Sequence, residues 1–420
     1  MSDLPRLDLE AVGAAATALR SLFEPTPLQQ NAYLSARCGA EIWLKREDLS
    51  PVRSYKIRGA FNAMRKSLDA QPERRNFVCA SAGNHAQGVA YACRHFGTRG
   101  VIFMPVTTPQ QKIGKTQAFG AGQVEIRLIG DYFDETLRAA MEFCAAEGAR
   151  FLPPFDDPDI IEGQATCALE ILAQMPDGRA PDLLILPVGG GGLSSGSTAV
   201  FRQRAPETAI RYVEPEGAPS LRTALERDHP VRLDKVDNFV DGAAVAQIGA
   251  RNFELLRGVD PAHVALAPEN RICATMLDIL NTEGFVFEPA GALAVDALRD
   301  FGDLSGKRVV AVVSGGNFDF ERLPDVKERA LRWEGLKKYY ILRLPQRPGA
   351  LRDFLAILGP DDDITRFEYL KKSARNFGSV LLGIESRKQG AFADLESRMT
   401  EAGFVFQDIT EDAVITSLVV

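Results

Sequence analysis

The chain has 420 residues, with 49 Lys and Arg against 56 Asp and Glu, and a formal net charge of −7. Its length indicates two or three domains, and 45% hydrophobic residues are enough to form large cores. A mildly acidic chain without a long basic run offers no positively charged surface for a nucleic-acid backbone. No stretch approaches the roughly 20 apolar residues that a bilayer requires. We therefore expect no nucleic-acid partner and no membrane span.

The N-terminal sequence, MSDLPRLDLEAV, lacks the basic and apolar regions of a secretory signal, which predicts a cytoplasmic protein. Six cysteines are scattered without a C-x-x-C pair, so we expect them to be reduced and buried. The four histidines lie far apart, and no H-E-x-x-H motif occurs. The sequence therefore gives no support for a dedicated zinc site.

Short β-rich runs alternate with segments of helical periodicity from about Glu41 to Ala330. The predicted strands are 76–83, 99–105, 123–130, 181–190, 209–215 and 307–316. The predicted helices between them include 85–96, 134–148 and 158–175. This alternation is typical of an α/β fold with parallel-rich sheets flanked by helices, in which ligands bind at the carboxyl ends of strands.

The pattern changes after Arg332 to the order strand, helix, strand, strand, helix, strand. The segments are 337–345, 349–359, 364–372, 378–387, 390–403 and 404–410. This order is that of the ferredoxin-like split βαβ plan, an α+β fold. A charged helix at 325–335 is the predicted connector. We therefore predict two domains, 1–335 and 336–420.

Three loops in the first domain carry groups of complementary chemistry. The motif S-Y-K-I-R-G-A places Lys56 at the start of a helix, S-A-G-N-H opens a second helix, and P-V-G-G-G-G-L-S-S-G opens a third. Unpaired N–H groups and the helix dipole favour an anion at a helix N-terminus, and successive glycines let the backbone close around it. Gly189 to Gly192 are therefore predicted to form an anion cradle, although a flexible turn is the plainer interpretation.

Two other interpretations of the glycine loop remain open at this point. Gly189 to Ser194, with Glu214 about 20 residues further on, imitates a dinucleotide fingerprint. Gly192 to Gly196 fits G-x-S-x-G, the nucleophile elbow, with His229 or His263 following it. A serine at a helix start is more often a cap, and the preceding glycines favour anion binding over a strained elbow.

Four motifs come in the order and spacing of one family: S-Y-K with Lys56, S-A-G-N-H at 81–85, the tetraglycine at 189–192 and S-G-G-N at 314–317. The sequence resembles the fold type II pyridoxal-phosphate enzymes, and among them the threonine dehydratases, over about residues 20–330. The tail, with R-P-G-A-L at 347–351, resembles the ACT-like regulatory domain of the biosynthetic, isoleucine-pathway enzymes. Only one such domain fits the remaining length, as in the short form of those enzymes.

The resemblance implies pyridoxal 5'-phosphate (PLP) as cofactor and assigns a role to each motif. Lys56 is expected to carry PLP as a Schiff base and to act as general base, and Ser81 is the second residue expected to be catalytic. The other expected cofactor contacts are Asn84 at the ring hydroxyl, Gly189, Gly190, Gly191, Gly192 and Leu193 at the phosphate, and Ser314 at the ring nitrogen. The expected substrate-binding residues are Ser81, Ala82, Gly83, Asn84 and His85.

The implied activity is that of a threonine ammonia-lyase, which converts L-threonine to 2-oxobutanoate and ammonia in the first step of isoleucine biosynthesis. L-Serine is the expected second substrate. A hydroxyl at Ser314, instead of a carboxylate, leaves the ring nitrogen largely unprotonated and favours elimination.

The sequence departs from the patterns of its relatives at three positions. Tyr55 stands where the family usually has Phe, with an open effect on substrate choice. Ala82 stands where serine racemases carry a second serine, which argues against racemisation. Ser220 stands where metal-binding relatives carry a second acid after Glu214, so we expect no metal.

The ACT-like tail implies isoleucine or valine as effectors, with Arg347-Pro348-Gly349 as the candidate site, and a homo-oligomer, either dimer or tetramer. Two other functions remain open. A catabolic serine or threonine dehydratase would normally lack the tail. A non-catalytic amino-acid sensor on the same scaffold would not need Lys56 together with the other site residues.

Overall fold

The computed structural model describes residues 5–370 and 376–412. Parts of the predicted domains (1–4, 371–375 and 413–420), including the end of the predicted strand 364–372, therefore lie outside the described residues. Contacts along the chain define two compact units. One unit holds the residues up to Glu269 together with Ile279–Asp319, and the other holds Asn270–Asp278 and the residues from Phe320 onward.

Helices and strands alternate through most of the first 319 positions. The helices are α1 (Leu9–Leu19), α2 (Ala32–Cys38), α3 (Lys56–Ala70), α4 (Asn84–Phe96), α5 (Gln110–Gly120), α6 (Phe133–Glu147), α7 (Pro158–Gln174), α8 (Gly192–Arg204), α9 (Ser220–Arg227), α10 (Ala250–Leu256), α11 (Glu269–Glu283) and α12 (Pro289–Asp296). The strands are β1 (Leu28–Gln30), β2 (Glu41–Arg46), β3 (Asn76–Ala80), β4 (Arg99–Met104), β5 (Val124–Leu128), β6 (Arg150–Phe151), β7 (Leu183–Pro187), β8 (Ala209–Pro215), β9 (Val264–Ala267) and β10 (Arg308–Val313).

These strands form two sheets in the first unit. The larger sheet has the order β1-β2-β10-β7-β8-β9 and is parallel except for β1. The smaller sheet, β5-β4-β3-β6, is parallel throughout. The predicted α/β class and its parallel-rich sheets are confirmed. Apart from Arg308 at the start of β10, strands β7 and β10 consist of buried apolar residues, as expected for parallel strands covered by helices on both faces.

Strand β2 has no counterpart among the predicted strands because it carries charged residues into the interior. Lys45 in this strand is fully buried, and its Nζ donates to Glu170 Oε2 at 2.7 Å. Arg58 of α3 donates to the same carboxylate and, through Nε, to Glu47 Oε2 at 2.7 Å. Each buried charge therefore has a partner of opposite sign, which a single-sequence pattern does not reveal.

Helix α3, which begins at Lys56, lies in close contact with α7 and α4. A Cβ built on Gly163 of α7 would lie 2.5 Å from the Arg58 carbonyl oxygen and 2.7 Å from Gly59 Cα. A Cβ on Gly88 of α4 would lie 3.1 Å from the Ile57 nitrogen. Because glycines bring these helices so close, the position of the α3 N-terminus is tightly determined.

The second unit contains a four-stranded antiparallel sheet in the order β12-β13-β11-β14. Its elements are α13 (Leu323–Trp333), β11 (Lys337–Pro345), α14 (Ala350–Leu355), β12 (Asp362–Leu370), β13 (Phe377–Ser386), α15 (Ala391–Glu401) and β14 (Val405–Asp408). Tyr340, Leu342 and Leu382 on the sheet form one core with Phe354 of α14 and Leu395 of α15. This topology confirms the predicted ferredoxin-like plan. Helix α13, the predicted connector, groups with this unit.

Two other sequence expectations concern cysteines and membranes. None of the six cysteines forms a disulfide, and all but Cys38 are buried. Among residues 5–370 and 376–412, no helix combines the length and the apolar character that crossing a bilayer would take.

Candidate active site

Lys56 is the first residue of α3, and its amine lies in a partly apolar setting. Its Nζ donates to the Pro154 carbonyl oxygen at 2.9 Å and lies 5.3 Å and 5.9 Å from the ring centroids of Tyr55 and Phe155. Burial lowers the pKa of Lys56 to about 8, while the carboxylate of Glu288 acts in the opposite direction. At neutral pH its amine is therefore in the nucleophilic form far more often than that of an exposed lysine.

The glycine loop after β7 has a shape that side chains would not allow. Gly191 has φ +93°, in the left-handed region that favours glycine. A Cβ on Gly190 would lie 2.1 Å from Cδ1 of Phe155, and one on Gly191 would lie 2.7 Å from Cδ1 of Ile248. The glycines are thus required both by the backbone conformation and by close packing.

The same loop presents unpaired donors at the N-terminus of α8. Within the described residues, no backbone N–H from Gly189 to Leu193 donates a hydrogen bond to the protein. The Gly190 carbonyl oxygen, by contrast, accepts from Asn252 Nδ2 at 2.7 Å and from the Gly249 N–H at 3.1 Å. The Gly190 carbonyl is thus fixed by hydrogen bonds, while the N–H groups of the loop stay available to an anion. This arrangement fits the predicted anion cradle.

The nucleophile-elbow interpretation has no support in the geometry. Ser194 is fully buried, and its Oγ donates to the Gly191 carbonyl oxygen at 3.1 Å, as a helix-start serine does. His229 is exposed, and its Nδ1 lies 2.8 Å from the Arg227 carbonyl oxygen. Neither histidine that follows the motif is hydrogen-bonded to Ser194, so no serine–histidine pair exists there.

Glu214, the acidic residue of the dinucleotide interpretation, is engaged in hydrogen bonds within the protein. It is fully buried, and its carboxylate accepts from the Leu221 N–H at 2.7 Å and the Arg222 N–H at 3.0 Å at the start of α9. Burial raises the pKa of Glu214 to about 7. Because this carboxylate caps a helix, it is not available to a ribose. In the part of the chain that the structure describes, no group of three or more His, Cys, Asp or Glu is placed to hold a metal.

The segment Ser81 to His85 leads from β3 into α4. The Ser81 hydroxyl oxygen accepts from the Gly83 N–H at 3.2 Å. The backbone N–H groups of Ala82, Asn84 and His85 donate no hydrogen bond to any described residue. Free N–H groups at a helix N-terminus suit a carboxylate.

The Asn84 side chain is held by two residues that the sequence motifs did not single out for a role. Its Nδ2 donates to Glu288 Oε1 at 2.7 Å, and its Oδ1 accepts from Asn317 Nδ2 at 2.8 Å. Glu288 is buried, and burial followed by the nearby Asp241 raises the pKa of its carboxyl to about 7. An acid directly before Pro289, at a helix start, was the available sequence signal for Glu288.

His85 is neutral and fixed in the interior. Its Nε2 lies 2.8 Å from the Leu152 carbonyl oxygen, so Nε2 carries the proton and donates. Burial, and then the charge of Lys56, lower the pKa of His85 to about 3. Its Nδ1 is buried without a hydrogen-bond partner, which leaves one acceptor free at the start of α4.

Ser314 follows β10, and its buried hydroxyl donates to the Ala290 carbonyl oxygen at 3.1 Å. Its own carbonyl oxygen accepts from the Tyr55 N–H at 3.1 Å, next to Lys56. A serine hydroxyl has one proton, so donation to a ligand nitrogen would take the place of the bond to Ala290. Burial, and then Glu288, raise the pKa of Tyr55, which keeps its phenol neutral.

A chain of contacts joins the four predicted groups into one site. Phe155 lies near both the Lys56 amine and Gly190, and Tyr55 links Lys56 to Ser314. Residues to which the sequence assigned no role supply the other links: Pro154, Phe155, Asn252, Glu288 and Asn317.

Comparison with known proteins identifies the family. The family model described as "Pyridoxal-phosphate dependent enzyme" matches residues 19–315. The chain belongs to this family. A second model, described as "C-terminal regulatory domain of Threonine dehydratase", matches residues 328–419. The predicted fold type II scaffold with a C-terminal regulatory domain is confirmed.

Relatives of this pyridoxal-phosphate dependent enzyme match over nearly its whole length. It is 47% identical over 397 residues to the biosynthetic L-threonine dehydratase IlvA of Bacillus subtilis, a match that covers 94% of this chain and 93% of that protein. The protein of the same name from Halalkalibacterium halodurans is 42% identical over 417 residues, 99% of this chain and 100% of that protein. The solved structure of the processed form of threonine deaminase isoform 2 from Solanum lycopersicum has a TM-score of 0.70 and is 36% identical, covering 78% of this chain and 97% of that chain.

The residues present fit the cofactor that gives the family its name. An aldehyde needs an amine that is neutral near physiological pH, and burial provides one at Lys56. A phosphate needs several unpaired N–H donors, and the segment from Gly189 to Leu193 provides them at the N-terminus of α8. PLP is therefore the cofactor of this enzyme.

Proposed function

We propose that this chain dehydrates and deaminates L-threonine to 2-oxobutanoate and ammonia, the first step of isoleucine biosynthesis, with PLP as cofactor. The observation that carries the proposal is the buried Lys56 amine beside a glycine cradle of unpaired N–H groups. This site stands in a chain that also matches the threonine dehydratase regulatory domain, and threonine dehydratases are its near full-length relatives. In this proposal the catalytic domain is 1–335 and the regulatory domain is 336–420.

Each side chain has a proposed task at the cofactor. Lys56 Nζ holds PLP covalently until the substrate amine displaces it, and the freed Lys56 amine then takes the Cα proton of the substrate as general base. When bound, PLP withdraws electrons from the substrate Cα, which makes that proton acidic. The N–H groups from Gly189 to Leu193 hold the phosphate, Asn84 contacts the ring oxygen, and Ser314 contacts the ring nitrogen.

The substrate carboxylate is proposed to bind at the start of α4. Free N–H groups of Ala82, Asn84 and His85 and the Ser81 hydroxyl are available to it. Ala82 places a methyl group, not a hydroxyl, in this segment, so it supplies no second acid–base group. This favours elimination over racemisation of the bound amino acid.

The proposal is tested by comparing the full-length wild-type chain with Lys56→Ala. We expect the wild type to show the visible absorption of bound PLP and to release ammonia and 2-oxobutanoate when threonine is added, and the variant to lose both. Lys66→Ala is the matched control, because Lys66 lies on the same helix in salt bridges with Asp159 and Glu162. A wild-type chain that cannot be loaded with PLP would contradict the proposal. An equal loss of activity in Lys56→Ala and Lys66→Ala would also contradict it.

The substrate range is proposed to include L-serine. Serine has the β-hydroxyl that the elimination removes and lacks only the methyl group of threonine. One methyl group in an apolar pocket changes kcat/KM by about 10- to 200-fold. We expect kcat/KM to be higher for threonine than for serine, and the reverse order would favour the catabolic alternative.

Isoleucine and valine are the proposed effectors, bound by the regulatory domain. The candidate turn has Gly349 at φ +83°, and Arg347 forms an exposed ion pair with Asp353 at 2.7 Å. A second turn of the same kind precedes α15, where Gly390 has φ +80°. Isoleucine titrated into the full-length chain should lower the rate of threonine turnover, and valine is titrated in the same way. The proposal would be contradicted if isoleucine left both the activity and the oligomer size unchanged.

The chain is further proposed to be a cytoplasmic homo-oligomer, either a dimer or a tetramer. Cysteines that form no disulfide and are mostly buried are what a reducing compartment favours. Light scattering on the full-length chain would decide the number of subunits, and a monomer at working concentrations would contradict the proposal.

A further inference from the structure

Glu288 is a buried carboxylate that none of the proposed catalytic steps uses. It is 5% exposed and precedes the first residue of α12. A Cβ on Gly315 would lie 2.0 Å from Glu288 Oε1, so the chain leaves room for this carboxylate only by having glycine there. A buried acid costs free energy unless its contacts compensate, and a hydrogen bond from Asn84 supplies part of that compensation.

Those contacts link three side chains in a row. Asn84 Nδ2 donates to Glu288 Oε1 at 2.7 Å, and Asn317 Nδ2 donates to Asn84 Oδ1 at 2.8 Å. The backbone N–H of Asn317 also acts to lower the pKa of the Glu288 carboxyl, against the larger effect of burial. We call these three residues the amide clamp.

The clamp determines which way the Asn84 amide faces. Asn317 Nδ2 also donates to the Val52 carbonyl oxygen at 2.7 Å, and a carbonyl can only accept. Asn317 must therefore turn its NH2 group toward Asn84, and the Asn84 side-chain oxygen must accept the hydrogen bond. The Asn84 NH2 group then faces Glu288 and keeps one N–H that is not used by the clamp.

We infer that Glu288 and Asn317 are positioning residues that hold Asn84 so that it presents an N–H donor, and not its carbonyl oxygen, to the ring oxygen of bound PLP. A donor at that point stabilises the ionised form of the ring oxygen, whereas a carbonyl would oppose it. The inference rests on the proposed role of Asn84 at the cofactor. Neither residue needs to touch the cofactor for this effect.

The test measures PLP affinity and the absorption maximum of the loaded full-length chain in Glu288→Ala, Glu288→Gln and Asn317→Ala. Glu288→Ala and Asn317→Ala should each weaken PLP binding about tenfold, as expected for loss of one hydrogen bond to a charged group, and should shift the absorption maximum. Glu288→Gln keeps an oxygen that can accept from Asn84, so it should stay within about twofold of the wild type.

The glutamine variant separates positioning from charge. If Glu288 acted only through its charge on Lys56, Glu288→Gln would behave like Glu288→Ala, and the inference would be overturned. Glu162 provides the matched control, because its buried carboxylate accepts from Asn62 Nδ2 at 2.9 Å away from the site. Glu162→Ala should leave the absorption maximum unchanged.

A double-mutant cycle tests whether Glu288 acts through Asn84. In an Asn84→Ala background, Glu288→Ala should cause no further loss of PLP affinity, and an additive loss would overturn the inference. If Glu288→Ala does not fold, Glu288→Gln and Asn317→Ala still decide the outcome. A wild type that binds no PLP would overturn the proposed function along with the clamp. If the wild type loads normally and the variants have the same PLP affinity and absorption maximum, the clamp alone is overturned.

Discussion

The Lys56 amine lies near two aromatic rings, and burial lowers its pKa to about 8 from an ordinary value of 10.5. The fold therefore prepares the amine before any ligand arrives. The motif S-Y-K located the lysine, but it did not show the carbonyl of Pro154 or the ring of Phe155 beside it. Both residues lie about 100 positions away in sequence, beyond the reach of any local pattern.

This lowered pKa gives a prediction for the pH dependence of labelling. Lys56 is protonated and unreactive below pH 8 and neutral above it, so its reaction with an aldehyde should rise about tenfold per pH unit below 8 and level off above. The measurement is borohydride trapping of pyridoxal phosphate on the PLP-free full-length chain, followed by peptide mapping. Lys66, whose salt bridges raise its pKa above 10.5, should continue to gain reactivity past that pH. Parallel profiles for the two lysines would contradict the prediction.

At the scale of elements, the site depends on how closely α3 approaches its neighbours. Strands β3, β4, β5, β7, β8 and β10 and helices α4, α6 and α7 were predictable, because burial of apolar faces imposes a period that survives in the sequence. Strand β2 was not, because Lys45 and Arg46 contradict the expected apolar pattern. Lys45 pairs with Glu170 of the distant helix α7, and Arg46 pairs with Asp48 two residues on, so only the folded chain makes these charged residues acceptable there.

Two glycine-to-alanine substitutions in helices should have opposite effects. In Gly163→Ala, the new Cβ would meet backbone atoms of α3 at 2.5 Å and 2.7 Å, so we expect the free energy of unfolding to fall by about 1–3 kcal/mol. Gly13 lies in α1 with nothing within 4 Å of a Cβ, so Gly13→Ala should raise it by about 0.5–1 kcal/mol. Urea denaturation of both variants checks this, and midpoints that move in the same direction would refute it.

At the scale of the whole molecule, the buried charges around Glu170 connect distant segments of the first unit. Glu170 of α7 lies 2.7 Å from both Lys45 Nζ of β2 and Arg58 Nη2 of α3. Burial acts to raise the pKa of Glu170, but the two cations outweigh it and hold the pKa at about 2. The carboxylate therefore stays ionised in the folded chain at pH values where an unfolded chain would protonate it.

The sign of this shift sets how stability depends on pH. A carboxyl with a depressed pKa stabilises the fold above its ordinary value of 4.5, and this contribution is lost as the pH falls from 4.5 towards 2. Glu170→Gln should lower the free energy of unfolding at pH 7 by about 3 kcal/mol and flatten its decline over that interval. Urea unfolding at a series of pH values measures both effects. Asp228→Asn, in an exposed pair with Arg257, is the control, and an unchanged slope in Glu170→Gln would contradict the prediction.

The sequence by itself determined the fold class, the alternation of strands and helices in the first unit, the order of elements in the second unit and the four loops of the site. The signals used were local: apolar periodicity, helix-start residues and glycine runs. Each of them can be recognised within a short stretch of the chain. The family resemblance then connected those loops to PLP. The same local signals left the dinucleotide and elbow interpretations of the glycine loop open.

Only the tertiary structure decided between them, because the deciding contacts join residues far apart in the chain. It buried Glu214 under α9 and left the glycine-loop N–H groups unpaired. It also brought Glu288 and Asn317 to Asn84 across more than 200 positions. A hydrogen bond depends on distance in space, whereas a sequence pattern records only distance along the chain.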